Sequence, residues 1–273
     1  MVNLSMVGNG KVVLIQGGGR CYTDMAARFC RTEKDLQNII ATEYDKNLVK
    51  RILESGHLAA TEFDYFIFGV EGYSRVAEAQ LIRKRHASYL IKSGRCNKGG
   101  KRSFDVVLPK DILEIGTEIK VPVANITIDG IEGQFYFNGE NPEISVYFNT
   151  VDTLSLIESW YNTGIGKNVP EEDLRYLKPQ ATEFKAIIGM NAHALLDWFK
   201  IRCCMNAQTE IRDMANKMLA ICKEVSPDLF KNAGPSCKVL GYCPEGSQNI
   251  NCDGKIMKKE EALRILQEYQ KGK

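Results

Sequence analysis

The basic stretch at residues 80–95 constrains the fold of this chain most, because its charged side chains must stay at a surface or face anionic groups. Apolar residues at helical spacing follow Ser74, which predicts a helix that is capped by Ser74 and ends near Ser93 and Gly94. Neighbouring helical residues point in different directions, so these cations can hold several anionic groups at once. A solvated basic face is the structural alternative. The cationic side chains are Arg83, Lys84, Arg85, His86, Lys92 and Arg95.

Composition limits the class of partner. The 273 residues carry a net charge of +2, which argues against general nucleic-acid binding and makes any anion recognition local. We find neither an apolar run of membrane-spanning length nor a signal peptide, so we expect a cytoplasmic protein without a membrane partner.

The odd number of cysteines, 9, favours free thiols in a reducing compartment. The spacing of Cys237, Cys243 and Cys252 matches no tight metal knuckle; structural thiols are the prediction, and zinc is the alternative.

The pattern of apolar residues predicts an α+β fold with a helical C-terminal half. The length allows one large domain or two small ones. The pattern also indicates a β-rich patch at 117–150 and a turn-rich, cysteine-containing tail at 231–273. Alternation predicts strands at residues 11–16 and 61–70. Asn138-Gly139, between the runs at 134–137 and 144–148, predicts a hairpin. Helical periodicity predicts helices at residues 184–202, 206–223 and 258–269.

A second polar constellation follows the basic stretch after a long interval. Asn191, Ala194 and Asp197 recur at helical spacing, so one helical face can present polar groups either to a ligand or to a buried network between helices. Both interpretations fit the spacing equally well. The histidines at 57, 86 and 193 are scattered, and they predict neither a zinc site nor a catalytic triad. A chemistry in which a cofactor supplies the reactive atom fits this pattern better than a protein nucleophile.

Several motifs in a fixed order resemble those of the flavin-dependent thymidylate synthases (ThyX type). The first runs from Arg83 through Ser88 and Ser93 to Arg95, and the last comprises Asn191-Ala-His193, Arg202 and residues 207–212. Residues 172–179, which contain Arg175, resemble the segment that lies between them in the family, and His57 and Glu62 match two shorter pieces. The resemblance covers most of residues 25–230, apart from the β-rich patch at 117–150.

This resemblance implies one ThyX-like mixed α/β domain over residues 1–273, with a β-rich insertion at 117–150 and a cysteine-containing C-terminal extension at 231–273. It also implies a homotetramer, in which several subunits build each active site. It implies methylation of dUMP at C5, with FAD as cofactor and with methylenetetrahydrofolate and NADPH as co-substrates. Arg202 and Ser93 would take part in catalysis. The residues implied to bind dUMP are Gln80, Ser93, Arg95, Arg175 and Arg202. The residues implied to bind FAD are Arg83, Lys84, Arg85, His86, Asn191, His193, Asp197 and Asn206.

The departures from the family pattern concentrate near the expected chemistry. They are Phe63, Lys84, Leu90, Ile91, Asp197 and Asn206. A carboxylate at Asp197 would disfavour an anionic reduced flavin by like-charge repulsion, and Lys84 would offset that repulsion. A divergent homologue that binds flavin or a uridine nucleotide, with altered substrate or without thymidylate synthase activity, is therefore the alternative function.

Overall fold

The computed structural model describes residues 2–19, 21–93, 103–122, 126–128, 131–133, 143–245, 252 and 256–271, with the backbone alone described between residues 119 and 146. The chain divides into two compact units. The insert unit comprises Met1–Met6 and Gly94–Thr182, and the main unit comprises Val7–Ser93 and Glu183–Lys273. The expected insertion at 117–150 lies within the insert unit, and the expectation of one domain over the whole chain stays a prediction.

Strands and helices alternate along both units, and they confirm the α+β class. The strands are β1 (Asn3–Met6), β2 (Lys11–Gln16), β3 (Tyr65–Ser74), β4 (Ser88–Ile91), β5 (Asp105–Leu108), β6 (Gly116–Pro122), β7 (Ile126–Ile128), β8 (Ile131–Gly133), β9 (Glu143–Asn149) and β10 (Glu183–Asn191). The helices are α1 (Thr23–Phe29), α2 (Leu36–Ile40), α3 (Lys46–Ser55), α4 (Arg75–Leu81), α5 (Lys110–Leu113), α6 (Thr150–Gly166), α7 (Glu171–Leu174), α8 (Ala192–Arg202), α9 (Thr209–Val225), α10 (Pro227–Phe230), α11 (Ser236–Leu240) and α12 (Lys259–Lys271). Short 3₁₀ helices span Leu58–Phe63 and Arg175–Leu177.

The main unit is built on a 4-stranded antiparallel sheet in the order β2-β3-β10-β4. Side chains of β3 alternate between the two faces of the sheet, and Phe66, Phe68 and Val70 are buried on one of them. These residues share a core with α8, α9 and α10, in which the ring of Phe230 meets those of Phe66 and Phe199 at centroid distances of 5.4 and 6.0 Å. Full burial of each such side chain contributes about 1.5–3 kcal/mol, so this core holds the helices that carry the candidate site against the sheet.

The insert unit has its own smaller core. Strand β1 pairs in parallel with β5, while β6 pairs with β9 and β7 with β8 in antiparallel fashion. Helix α6 begins with a capping box between Asn149 and Asp152 and buries Tyr161 edge-on against Phe104 at 5.3 Å. The strands confirm the β-rich prediction for residues 117–150, and the hairpin expected around Asn138 and Gly139 lies outside the described residues.

The long helix predicted over residues 184–202 is wrong in its first half. Residues 184–191 belong to β10, which pairs with β3 on one side and with β4 on the other. The apolar residues Phe184, Ala186, Ile188 and Met190 face the core at a spacing of two, and pairing on both edges outweighs their helical propensity. The helix begins after Asn191, whose Oδ1 accepts the N–H of Ala194 at 2.8 Å as an N-cap.

The basic stretch also departs from the predicted helix. Helix α4 ends at Leu81, so residues 83–86 lie on a turn that leads into β4. Ser74 is the N-cap residue, yet its side chain makes no capping hydrogen bond. The predicted strand at 61–70 begins later, at Tyr65, after a 3₁₀ helix. The predictions for β2, α9 and α12 are confirmed to within a few residues.

Candidate functional site

Arg202 and Gln80 form the centre of the candidate site in the main unit. Arg202 is the last residue of α8, and its Nη1 donates to Oε1 of Gln80 at 3.2 Å, while its Nη2 donates to the Gln80 main-chain oxygen at 3.3 Å. Gln80 lies near the end of α4. Two contacts to one residue fix the plane of the guanidinium, which is the property that bidentate recognition of an anion requires.

Arg83 brings a second guanidinium near this pair. Partial burial, and secondly the positive charge of Arg83, lower the pKa of Arg202 from its usual value. Within the part of the chain that the structure describes, neither arginine forms an ion pair with a carboxylate. Two neighbouring like charges without a counterion repel each other, and a bound anion would relieve that repulsion.

Tyr89 holds the turn that carries Arg83. Its hydroxyl lies 2.8 Å from the main-chain oxygen of Leu81 and 2.9 Å from that of Lys84, so its proton is shared between the end of α4 and the turn. Burial raises the pKa of Tyr89 to about 12, and the phenol therefore remains a donor at neutral pH. The turn is thus anchored from β4, although its cationic side chains are largely exposed.

A second group of charges surrounds Asp197, in the middle of α8. Its carboxylate lies 3.2 Å from Nζ of Lys200, 3.9 Å from Nζ of Lys84 and 3.9 Å from Nε2 of His193. The other ring nitrogen of His193, Nδ1, lies 3.2 Å from Oε1 of Glu62. We call these five residues the Asp197 cluster; in contrast to the Arg202 site, its cations have carboxylate partners.

The loop between α8 and α9 is fixed by residues of the second sequence motif. Oε1 of Gln208 accepts the N–H groups of Glu210 and Ile211 at 3.1 and 3.0 Å, which caps α9. Nη1 of Arg212 donates to the main-chain oxygens of Met205 and Ala207 at 2.9 and 3.0 Å. Gln208 and Arg212 therefore have a structural function in shaping this loop.

The structure brings some of the predicted site residues together and leaves others apart. Gln80 and Arg202 are in direct contact, and Lys84, His193 and Asp197 form one cluster. Arg85 and His86 are exposed on the turn, and Ser93 is exposed beyond the end of β4. Asn191 caps α8, and the side-chain amide of Asn206 donates to the carboxylate of Glu245. Arg175 lies exposed in the insert unit at the end of α7, and Arg95 lies outside the described residues.

Two residues to which the sequence interpretation assigned no role take part in these arrangements. Lys200 pairs with Asp197, and its position three residues further along the helix is a recognisable signal for that pair. Glu210 is buried against Ser74. Its sequence position, beside the apolar face of α9, is the feature that could have indicated a buried carboxylate.

Among the described residues, no group of three or more potential ligands could hold a metal ion. No described helix combines the length and apolar composition that crossing a bilayer requires.

Comparison with known proteins decides the family. The family model described as thymidylate synthase complementing protein matches residues 19–228. The chain belongs to this family. A flavin-dependent thymidylate synthase from Nitratidesulfovibrio vulgaris is 37% identical over 213 residues, which is 78% of each chain. Another flavin-dependent thymidylate synthase, from Clostridium tetani, is 32% identical over 245 residues, which is 88% of each chain.

A solved structure supports the fold independently. The UMP/dUMP methylase PolB from Streptomyces cacaoi, bound with 5-Br dUMP, superposes with a TM-score of 0.58 at 18% identity. The match covers 84% of this chain and 96% of the methylase. The family model and the two relatives, rather than this likeness in fold, confirm the resemblance to the flavin-dependent thymidylate synthases and the expectation of an enzyme of this family.

Family membership makes the divergent positions informative. Phe63 and Leu90 are exposed by 68% and 72%, so each presents an apolar side chain at a surface. Ile91, in contrast, lies on the inner face of β4 and packs partly against the main core. The exposed pair changes the surface that a ligand or another subunit would meet, whereas Ile91 contributes to packing.

Proposed function

We propose that this chain methylates dUMP at C5, with FAD as cofactor, methylenetetrahydrofolate as carbon donor and NADPH as reductant. Membership of the family and the names of the relatives support the reaction class. The observation that carries the proposal is the pair of neighbouring guanidiniums, Arg83 and Arg202, without a carboxylate partner among the described residues. This arrangement suits a nucleotide monophosphate.

Arg202 would act on the nucleotide directly. It is half-buried, and electrostatic interactions are stronger there than at an exposed site because less water screens them. Its contacts with Gln80 hold the guanidinium in one orientation before the substrate arrives. A fixed positive group can polarise the uracil carbonyl and stabilise the negative charge that develops during attack from C5. Ser93, Arg95 and Arg175 would complete the dUMP site, as the resemblance implies.

The residues of the basic turn fit the binding of FAD. Arg83, Arg85 and His86 are exposed, and the described residues offer them no carboxylate partner. Arg85 and His86 are therefore available to a diphosphate, and the charge of Arg83 acts on this diphosphate as well as on the nucleotide beside Arg202. Lys84, His193 and Asp197 would meet the rest of the cofactor as one charged cluster, in which Lys84 offsets the charge of Asp197. Asn191 retains its amide N–H groups for a ligand, and Asn206 would have to release Glu245 to bind one. Bound FAD would supply the hydride that completes the methyl group.

The assembly and the compartment belong to the same proposal. The exposed cations of the turn need partners to close a pocket, and neighbouring subunits of a homotetramer would supply them. The partners are otherwise small molecules, with neither nucleic acid nor a membrane among them, and the compartment is the cytoplasm. Light scattering tests the assembly, and a monomer at micromolar concentration would contradict a site shared between subunits.

The function is tested with the purified protein, dUMP, methylenetetrahydrofolate and NADPH. We expect a yellow protein that NADPH bleaches, and deoxythymidylate formation that depends on all three substrates. A parallel reaction with UMP tests the substrate range that the name of the structural relative suggests. A bleached flavin without methylated product from either nucleotide would contradict the proposed reaction and leave flavin binding intact.

The second candidate is a homologue that binds flavin or a uridine nucleotide without thymidylate synthase activity. The exposed apolar side chains of Phe63 and Leu90 favour it, because they stand where the family pattern has polar groups. A colourless protein that binds dUMP in calorimetry would support this candidate and exclude the first.

A further inference from the structure

Glu210 is a buried carboxylate that the proposed reaction does not use. It is 2% exposed, and its two oxygens accept the main-chain N–H and the hydroxyl of Ser74, which is itself 1% exposed. Ser74 is the N-cap residue of α4, and its hydroxyl serves Glu210 instead of capping its own helix. Burying a carboxylate is costly unless its hydrogen bonds are satisfied, so this contact is a specific one.

The position of Glu210 in the chain connects this contact to the candidate site. Arg202 ends α8 and Glu210 lies in the first turn of α9, so the two residues flank one short loop. That loop is held by Arg212, and α9 is capped by Gln208. Glu210 accepts two hydrogen bonds from Ser74 at the start of α4, and Arg202 contacts Gln80 near the end of α4. Both ends of this seven-residue helix are therefore held from the two sides of one loop.

We propose that Glu210 is a positioning residue, which holds α4 so that Gln80 meets the guanidinium of Arg202 in the orientation that binds the nucleotide. The inference rests on the proposed function for its ligand, and it adds a residue that touches neither Gln80 nor Arg202. Without Glu210 the start of α4 loses two hydrogen bonds, and Gln80 holds the plane of Arg202 less firmly. Desolvation by burial raises the pKa of Glu210, whereas the Ser74 hydrogen bonds favour the charged form that accepts both donors.

The test compares four variants of the full chain: Glu210→Ala, Glu210→Gln, Ser74→Ala and Asp213→Asn. Glu210→Gln can still bond to both Ser74 groups, because its amide oxygen accepts the N–H and its NH₂ group donates to the hydroxyl oxygen. Asp213→Asn is the matched control, since Asp213 lies on the same helix but contacts Tyr73 and Lys217. Two readouts are used: the dissociation constant for dUMP and amide hydrogen exchange of residues 74–84.

We expect Glu210→Ala to weaken dUMP binding at least about tenfold and to accelerate exchange across α4. Glu210→Gln should restore both readouts to within about threefold of wild type, and Asp213→Asn should leave both unchanged. Unchanged exchange in α4 of Glu210→Ala, or equal dUMP affinity in Glu210→Ala and Asp213→Asn, would overturn the proposal. If Glu210→Ala fails to fold, Ser74→Ala takes its place with the same expected directions. A wild-type protein that does not bind dUMP would refute the proposed function, and hydrogen exchange would still decide whether Glu210 holds α4.

Discussion

The Arg202 site and the Asp197 cluster lie on the same helix, five residues apart. They differ in charge compensation: the cations of the cluster are paired with carboxylates, and those of the site are not. In the Asp197 cluster, Lys84, Lys200 and His193 surround one carboxylate, and His193 also meets Glu62. At the Arg202 site, Arg202 bonds to the neutral amide of Gln80 and lies near Arg83, and the described residues give neither arginine a carboxylate.

This difference indicates what each region suits chemically. A compensated cluster holds side chains in place and presents little net charge, so it suits the orientation of a large, partly apolar group. An uncompensated pair of arginines attracts an anion, and Gln80 keeps the orientation of one arginine without neutralising it. The turn at residues 83–86 serves both regions, because Arg83 belongs to the site and Lys84 to the cluster.

The largest effect is expected at Arg202. Arg202→Ala should weaken dUMP binding by about a hundredfold or more, about 3 kcal/mol, because the oriented guanidinium and its charge are both lost. Arg202→Lys should recover only part of this, since an ammonium lacks the planar fork. Arg51→Ala is the control, because Arg51 is an exposed arginine paired with Asp45 in the same unit. Calorimetry with dUMP measures the effect, and equal affinities for the Ala variant and the control would refute the site.

A smaller effect is expected at Arg83. It is exposed, so Arg83→Ala should weaken dUMP binding by about tenfold at low salt. The difference from wild type should shrink as salt rises, because the Debye length falls from about 10 Å at 0.1 M to about 3 Å at 1 M. The measurement is a salt series of dissociation constants for both proteins. A difference that stays constant across the series would contradict a screened electrostatic role for Arg83.

The contrast between the two regions was only partly predictable from the sequence. The motifs single out Arg83, Lys84 and Arg202, whose roles stay predictions, and the alternating pattern of β2 predicts a strand that the structure confirms. Charge compensation depends on distances between segments far apart in the chain: Glu62 meets His193, and Lys84 meets Asp197. The motif positions alone lead us to expect that Lys84 offsets the charge of Asp197, and the two groups lie 3.9 Å apart. Glu62 and His193 are both motif positions as well, but no local pattern indicates that they meet.

The helix predicted over residues 184–202 shows a second limit of local patterns. Residues 184–191 contain apolar side chains that suit either a helix or a buried strand, and pairing with β3 and β4 decides for the strand. The same holds for the basic turn, where Tyr89 accounts for the position of residues that the sequence assigned to a helix. In both places the deciding contact comes from another segment of the main unit.

The Asp197 cluster can be unbalanced by Asp197→Asn, which leaves Lys84 and Lys200 without their carboxylate. Uncompensated cations favour an anionic reduced flavin, so the midpoint potential of bound FAD should rise by about 20–30 mV, equivalent to about 1 kcal/mol for two electrons. Spectroelectrochemistry of the flavin-loaded protein measures this shift. The dUMP affinity should change by less than about threefold, because the charge that matters for it lies at Arg202 and Arg83. An unchanged or lowered midpoint potential would show that the charge of Asp197 does not act on the flavin.

The smallest effect is expected at Lys200, and a variant at this position tests most directly whether the two regions act independently. Lys200→Met keeps the length of the side chain and removes the charge that pairs with Asp197 at 3.2 Å. Asp197 retains Lys84 and His193 as partners, and the pair is partly exposed, so the free energy of unfolding should fall by no more than about 0.5 kcal/mol. Chemical denaturation measures this change. Because the lost charge belongs to the compensated cluster, dUMP affinity should equal that of wild type. A loss of dUMP affinity as large as that of Arg83→Ala would mean that the two regions act as one electrostatic unit. In that case the carboxylate of Asp197 would not prevent the cations around it from acting on the nucleotide.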